Sequence, residues 1–259
     1  MAIRGAILGD IAGSVWEYGK PGDIDILTCP IFTRRNFFTD DTVMTLATKE
    51  AILDAIPFEI TYRKYGMKYP RKDYGNHFAA WLRDESKGPY YSLGNGSAMR
   101  CSFIGEFYTK EVEVEQWAIR SAECTHNHPE GVKGAVVTST CIYMARQGAT
   151  RTEIFDYARK QYPTNEYKYG VERSLASYKD TYQWSVTCME SVPVAIRCFL
   201  ESADYASFIR NAFSLNCDLD TICAIGGGIA EEFYKGTGFD EELILRTYLP
   251  DDLYELVAR

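Results

Sequence analysis

Long apolar runs are missing from this 259-residue chain, and no segment approaches the roughly eighteen continuous apolar residues that a membrane span needs. The opening stretch MAIRGAILGD is too short in its apolar run to act as a signal peptide, and Asp10 interrupts it. A soluble, cytoplasmic protein with no membrane partner is expected. Runs of five or more like charges are also absent. The balance is acidic, with 28 basic and 36 acidic residues and a formal charge of −8, which repels a phosphate backbone and disfavours nucleic-acid binding. No CxxC pair accompanies the eight cysteines. Most lie in apolar stretches, such as Cys141 in TSTCIYMA and Cys198 in AIRCFLES, and read as reduced, buried small hydrophobes. Only three histidines occur and none forms HExxH, so a zinc site is not expected. The missing P-loop pattern leaves ATP hydrolysis with little support. The lack of GxSxG and of a Cys–His–Asn arrangement does the same for acyl chemistry.

What the chain does have is helical periodicity. Apolar residues make up 46% of it, enough for a sizeable core. Val43, Met44, Ala47, Ala51 and Ala55 recur at three- and four-residue spacings behind Asp40 and Asp41, either of which can cap that helix. Residues 134–147, 188–202 and 221–234 read as further apolar helices, the second with Pro193 as a kink or as the opening of its second half. In the last, Gly226, Gly227 and Gly228 each cost about 1 kcal/mol relative to alanine, which fits a helix in close contact with others at the protein's centre. Strand patterns are scarce, and 24–33, with Pro21 and Pro30 as breakers, reads as a loop. The Tyr-, Glu- and Lys-rich stretch 162–182 reads as a surface excursion that could be mobile. With no internal repeat or linker, residues 1–259 are expected to form one compact all-α domain.

Three acidic motifs carry the chemistry. In Gly9-Asp10-Ile11-Ala12-Gly13-Ser14-Val15-Trp16-Glu17, the two acids are seven apart, two turns along one side of a helix. Acids so spaced usually form a solvated face. Their apolar and small neighbours instead make an unpaired carboxylate expensive to bury, which points to a cation. Thr39-Asp40-Asp41-Thr42 stands before a strong helix. One Asp would be an N-cap, but two adjacent carboxylates with flanking hydroxyls exceed what a cap requires, and they disfavour each other's ionisation unless a metal or basic group relieves them. Asp218-Leu219-Asp220-Thr221 repeats that chemistry nearly 180 residues later. Hard oxygen ligands of this kind suit Mg²⁺ or Mn²⁺, and convergence of the two segments suggests a pair of ions. Gly94–Arg100, GNGSAMR, either presents backbone N–H groups to an anion or simply turns into a helix. Thr125–Gly131, THNHPEG, sets His126 beside a helix start as a ligand-contacting imidazole.

In this order, GDIAGSVWE, FTDDT, GNGSAMR, THNHPEG and CDLDTICAIGGGIA resemble the ADP-ribosylglycohydrolase family, which includes the ADP-ribosyl-acceptor hydrolases and the dinitrogenase-reductase-activating glycohydrolases. Each motif alone is weak; the five together span Ile7 to about Ala230. Glu190–Ile196 with Cys198-Phe199-Leu200 also resembles a family helix as written in the serine-type acceptor hydrolases. The resemblance implies an all-α orthogonal helical bundle around a binuclear Mg²⁺ centre, with Mn²⁺ a possible substitute. It implies a hydrolase that frees ADP-ribose from a protein or from a small ADP-ribose conjugate, through an O-linkage as in serine or O-acetyl-ADP-ribose, or through an N-linkage to arginine. By the motif match, Thr39, Asp40 and Asp41 would hold one ion and Asp218 and Thr221 the other, with Asp220 bridging. Glu17 falls at a mobile acid that assists catalysis, with Asp41 the other candidate for managing the proton, while Asp10 is structural. Gly75 falls near the distal ribose, Asn95, Gly96, Ser97 and Met99 along the diphosphate groove, and His126 against the ribose or adenine.

The chain departs from its relatives in places. Leu93 stands where they often carry an aromatic residue before the G-N-G turn, with Tyr91 two residues earlier. Asn76 and His77 replace the small residues of some relatives. A non-catalytic ADP-ribose-binding or structural member would be expected to have lost the metal acids, which all remain here. A metal-dependent phosphohydrolase would need basic residues beside the metals, for which Arg34 and Arg35 are the sequence neighbours.

Overall fold

Two helices buried on nearly every face form the centre of the protein. In the computed structural model, which describes residues 2–19 and 24–259, these are the N-terminal helix Ala2–Gly13 and the central helix Leu219–Tyr234. Of the first, only Arg4 is partly exposed; of the second, residues 219–232 are all buried. Apolar side chains alone do not explain how near they come. Gly5, Gly9 and Gly13 recur every four residues and so share one helix face. A Cβ on Gly9 would stand 2.1 Å from the Cys223 carbonyl oxygen, one on Gly13 2.4 Å from the Asp220 nitrogen, and one on Gly5 2.4 Å from the Gly227 carbonyl oxygen. The backbones therefore touch along an antiparallel glycine seam. Gly226 and Gly228 meet other neighbours, the Phe208 ring and Ile142. The glycine run thus marks the close central packing expected of it. Because the pair is antiparallel, the end of the first helix lies beside the beginning of the second.

Thirteen further α-helices and one 3₁₀ turn, Ser14–Trp16, surround this pair, and the described residues contain no strand. The protein is an all-α bundle, with one isolated antiparallel bridge between Gly94 and Thr187. No helix among the described residues is long and apolar enough to cross a membrane. The eight cysteines are thiols, six of them buried. Residues 24–33 form a loop; Pro21 lies outside the described residues.

Boundaries differ from expectation where capping decides them. The helix expected at 134–147 runs Pro129–Arg146: His128 Nδ1 accepts the Glu130 N–H at 3.0 Å, and Pro129 sits at the first position, where a missing N–H costs nothing. Pro193 lies inside one continuous helix, Cys188–Leu200. The Tyr-rich stretch 162–182 is no loose excursion. Tyr162, Val171 and Tyr178 are fully buried, Tyr169 packs its ring 4.6 Å from that of Tyr182, and the Tyr178 hydroxyl donates to the Gly170 carbonyl at 2.8 Å.

Candidate active site

Asp10 joins the first two motifs. Its carboxylate accepts the backbone N–H groups of Thr39 and Thr42, at 3.0 and 3.1 Å, together with both their hydroxyls. Burial pushes this carboxyl up and the threonine donors pull it back. The buried acid is thus satisfied by donors rather than by a cation, and it pins the start of the helix Asp40–Leu53 against the N-terminal helix. Asp10 and Glu17 do not share a helix face as the spacing suggests. The α-helix ends at Gly13, and Glu17 follows a 3₁₀ turn whose tighter winding breaks the seven-residue register.

Both acidic pairs stand at helix N-termini, where the positive end of the peptide dipoles favours negative charge. The two are in contact: the Thr221 hydroxyl donates to Asp41 Oδ2 at 3.3 Å across 180 residues. One carboxylate oxygen each from Glu17, Asp218 and Asp220 lies within 4.8 Å of the others. Asn95, read from the sequence as part of a diphosphate groove, turns its amide to Asp218 Oδ2 at 2.7 Å and to the Ser191 hydroxyl at 3.0 Å. Supporting donors of this kind fix a ligand's orientation, and their removal typically costs 10–100-fold in metal affinity. Asn95→Ala is accordingly expected to weaken divalent-cation binding by about that factor while the fold persists; titration calorimetry reads the first and thermal melting the second.

The acids crowd one another. Burial, then the charges of Asp10, Asp40, Asp218 and Glu17, hold Asp41 well above the ordinary carboxylate range; Asp40 and Asp220 are raised by the same kinds of cause. Burial raises Asp218 against the hydrogen bond from Asn95. Burial, with the Asp218, Asp73 and Asp10 charges and against a hydrogen bond from Tyr18, pushes Glu17 up to about 7. Asp41 Oδ1 is buried without a hydrogen-bond partner. Clustered hard oxygens, mutual repulsion and an orphaned carboxylate oxygen together fit a site for divalent cations.

A carboxyl raised on folding binds more protons in the folded state. Its contribution to stability is therefore present below its ordinary pKa and lost as pH rises through the folded one. Without divalent cations, the melting temperature is expected to fall as pH rises from about 4.5 toward the value of about 7 for Glu17. The stabilisation by added Mg²⁺ should grow over the same window, because the cation then replaces protons. Melting curves with chelator and with Mg²⁺ read both; a Mg²⁺ effect that shrinks with rising pH contradicts the assignment.

The acids form one wall of a cavity of about 570 Å³, in the range of small-molecule sites. Glu17, Asp40, Asp41, Asp218, Asp220 and Thr221 line it, as do Gly75, Asn95, Gly96, Met99 and His126. Two expected residues are not in the lining. Thr39 caps its helix, its hydroxyl donating to Asp10 and accepting the Asp41 N–H. Ser97 turns its hydroxyl to the Gly131 carbonyl at 2.6 Å. Gly96 makes room for a side chain, since a Cβ there would stand 3.0 Å from His126 Nε2. Burial, reinforced by Arg100, drives His126 well below its usual range and keeps it neutral.

Sequence reasoning missed Tyr18, Asp73, Tyr74, Tyr90, Trp184 and Val186 in the lining. Tyr91 is exposed and stacks edge-on against His128, whereas Tyr90 lines the cavity with its ring 6.0 Å from His126 and 5.9 Å from His77. Arg34 and Arg35 are exposed and outside it. Arg100 is in the lining, but its guanidinium donates to the Ser121 carbonyl and the Thr125 hydroxyl. Among the described residues of the lining, Arg100 is the one lysine or arginine, and its engagement elsewhere leaves the phosphohydrolase reading little support.

The sequence model described as ADP-ribosylglycohydrolase matches residues 1–259. The chain belongs to the ADP-ribosylglycohydrolase family. As such it is a glycosidic-bond hydrolase. Curated relatives include the ADP-ribosylhydrolase ARH3 of Mus musculus, 24% identical over 90% of this chain and 82% of its own length. The Homo sapiens protein of the same name is 25% identical over 90% of this chain and 84% of its own. A solved structure described as an ADP-ribosylglycohydrolase-related protein complex superposes with a TM-score of 0.74 at 21% identity, covering 98% of this chain and 93% of that one. That likeness places the fold among those of the family.

Proposed function

We propose that this enzyme reverses ADP-ribosylation, cleaving the bond between C1″ of the distal ribose and an acceptor in an ADP-ribosylated protein or a small ADP-ribose conjugate. The observation that carries the reading is the joining of the two acid–acid–threonine motifs, with Glu17, on one wall of a ligand-sized cavity. Asp40 and Asp41, with Thr39 behind them, would hold one Mg²⁺ or Mn²⁺, and Asp218 and Thr221 a second, with Asp220 shared. The pair would supply positive charge to the hydroxyls of the distal ribose and to the attacking oxygen.

The chain's own residues do the rest. Asn95 orients Asp218, and Asp10 holds the helix that presents Asp40 and Asp41. The Glu17 carboxylate takes a proton from water as its oxygen bonds C1″ and the acceptor bond breaks, then returns it to the departing acceptor. A carboxyl near neutrality suits both halves of that transfer. The carboxylate wall also favours the positive charge that develops on the ribose. Met99 and the Gly94–Gly96 turn would take the diphosphate, and neutral His126 with Tyr90 the nucleoside, all of them lining the cavity. Resemblance of residues 190–200 to the serine-type hydrolases favours an O-linked acceptor.

The test is release of free ADP-ribose from ADP-ribosyl-serine, O-acetyl-ADP-ribose and ADP-ribosyl-arginine, each with Mg²⁺ and with chelator. Mg²⁺-dependent release from the O-linked pair is expected. Release from arginine alone moves the acceptor to the N-linked class, and no release from any of the three overturns the reading.

A further inference from the structure

We infer that Trp184, carried by the segment Gln183–Thr187, is a positioning residue for Glu17, and that the Tyr-rich stretch before it exists to hold that segment in place. The inference rests on the proposed role of Glu17 in proton transfer. Glu17 follows the 3₁₀ turn, outside any α-helix, so helical hydrogen bonding does not set its position. The Trp184 indole Nε1 donates to the Glu17 carbonyl oxygen at 3.3 Å. Trp184 and Glu17 both line the cavity.

The segment bearing Trp184 is fixed at both ends. At its start, the Gln183 N–H donates to the Tyr169 hydroxyl at 3.0 Å, and that hydroxyl donates to the Thr181 carbonyl at 3.1 Å. At its end, the Asn95 N–H donates to the Val186 carbonyl at 2.8 Å, and the Cys188 N–H to the Leu93 carbonyl at 2.9 Å. The Asn95 held in this way is the residue that orients Asp218. One strap therefore references Glu17 and Asp218 to each other, although they come from opposite ends of the chain. A displacement of the order of 1 Å in a reacting group can cost about 10²-fold in rate, so such a device has a measurable effect.

Two variants test it. Trp184→Phe keeps a ring and removes the indole N–H. Tyr169→Phe loosens the strap from a buried position outside the cavity, where it cannot touch a ligand. Amide hydrogen exchange is measured over residues 14–19, together with kcat, KM and calorimetric ADP-ribose affinity. Melting temperatures confirm that both variants are folded. The expected result is faster exchange at 14–19 in both variants and a kcat lowered by about five- to a hundredfold. ADP-ribose affinity should stay within about twofold, the mark of an interaction that serves the chemical step rather than binding. Unchanged exchange in either variant overturns the inference. So does a loss confined to affinity, which would make Trp184 a ligand contact, and so does faster exchange with unaltered kcat. Should the unmodified enzyme release ADP-ribose from no substrate, the functional reading fails, and the exchange measurement still decides whether the strap holds Glu17.

Discussion

Asp220→Asn is expected to abolish turnover and divalent-cation binding together. Asp220 is buried at the start of the central helix, and an oxygen of its carboxylate stands within 4.8 Å of oxygens from Glu17 and Asp218. A carboxamide keeps the shape but removes the charge shared by both proposed ions. Glu17→Gln should behave differently, with cation binding largely intact and the rate down by roughly the 10²–10⁴-fold typical of a lost general acid–base group. Calorimetry with Mg²⁺ alongside single-turnover hydrolysis separates the two. Loss of the cations in Glu17→Gln to the same extent as in Asp220→Asn would make Glu17 a ligand. Full activity in Glu17→Gln would pass the proton to an aspartate, most simply Asp41.

The second large effect concerns stability. In Gly9→Ala the new methyl group would stand 2.1 Å from the Cys223 carbonyl oxygen, a backbone atom that no rotamer change can move. The two central helices must separate. Overpacking typically costs about 1–3 kcal/mol, and a clash with backbone belongs at the upper end; about 3 kcal/mol lowers the melting temperature of a protein of this size by roughly 6–12 °C. Gly88→Ala is the control: nothing lies within 4 Å of its Cβ, so its melting temperature should move by no more than about a degree or two. A Gly9→Ala protein as stable as the control would show that the seam has room to give. Since the seam also sets the end of the first helix against Leu219 and Asp220, the variant should lose cation affinity along with stability.

The acidic motifs were legible in the sequence because their signal is local: two acids and a hydroxyl at the start of a long apolar helix. The helices 40–53 and 219–234 were legible because apolar residues recur through them at three- and four-residue spacings. The directions of short polar side chains were not. Thr39, Asn95 and Ser97 have the residue types a site needs, yet Thr39 caps a helix, Asn95 orients Asp218, and Ser97 bonds a carbonyl. Rotamers answer to partners distant in sequence, and no local pattern records them. Tyr90 and Trp184 were missed for a related reason, since an aromatic residue in a loop carries no mark of which rings or cavity it will face. The spacing of Gly5, Gly9 and Gly13 is a sequence signal with a direct meaning: three glycines on one helix face predict a backbone contact.

The glycine seam also has a consequence for biosynthesis. Its halves are far apart in the chain, Gly5 reaching Glu231 across 226 residues. At about 5–20 residues per second, the ribosome needs on the order of ten seconds or more to pass from one to the other. Over that interval the first helix, which has almost no polar face, is without the principal surface it packs against. The backbone that Gly5, Gly9 and Gly13 are shaped to meet, at Gly227, Cys223 and Asp220, all belongs to the central helix. The first helix is therefore exposed to aggregation and to chaperone capture until the central helix emerges, and the acidic site, which needs Asp218 and Asp220, cannot assemble before then.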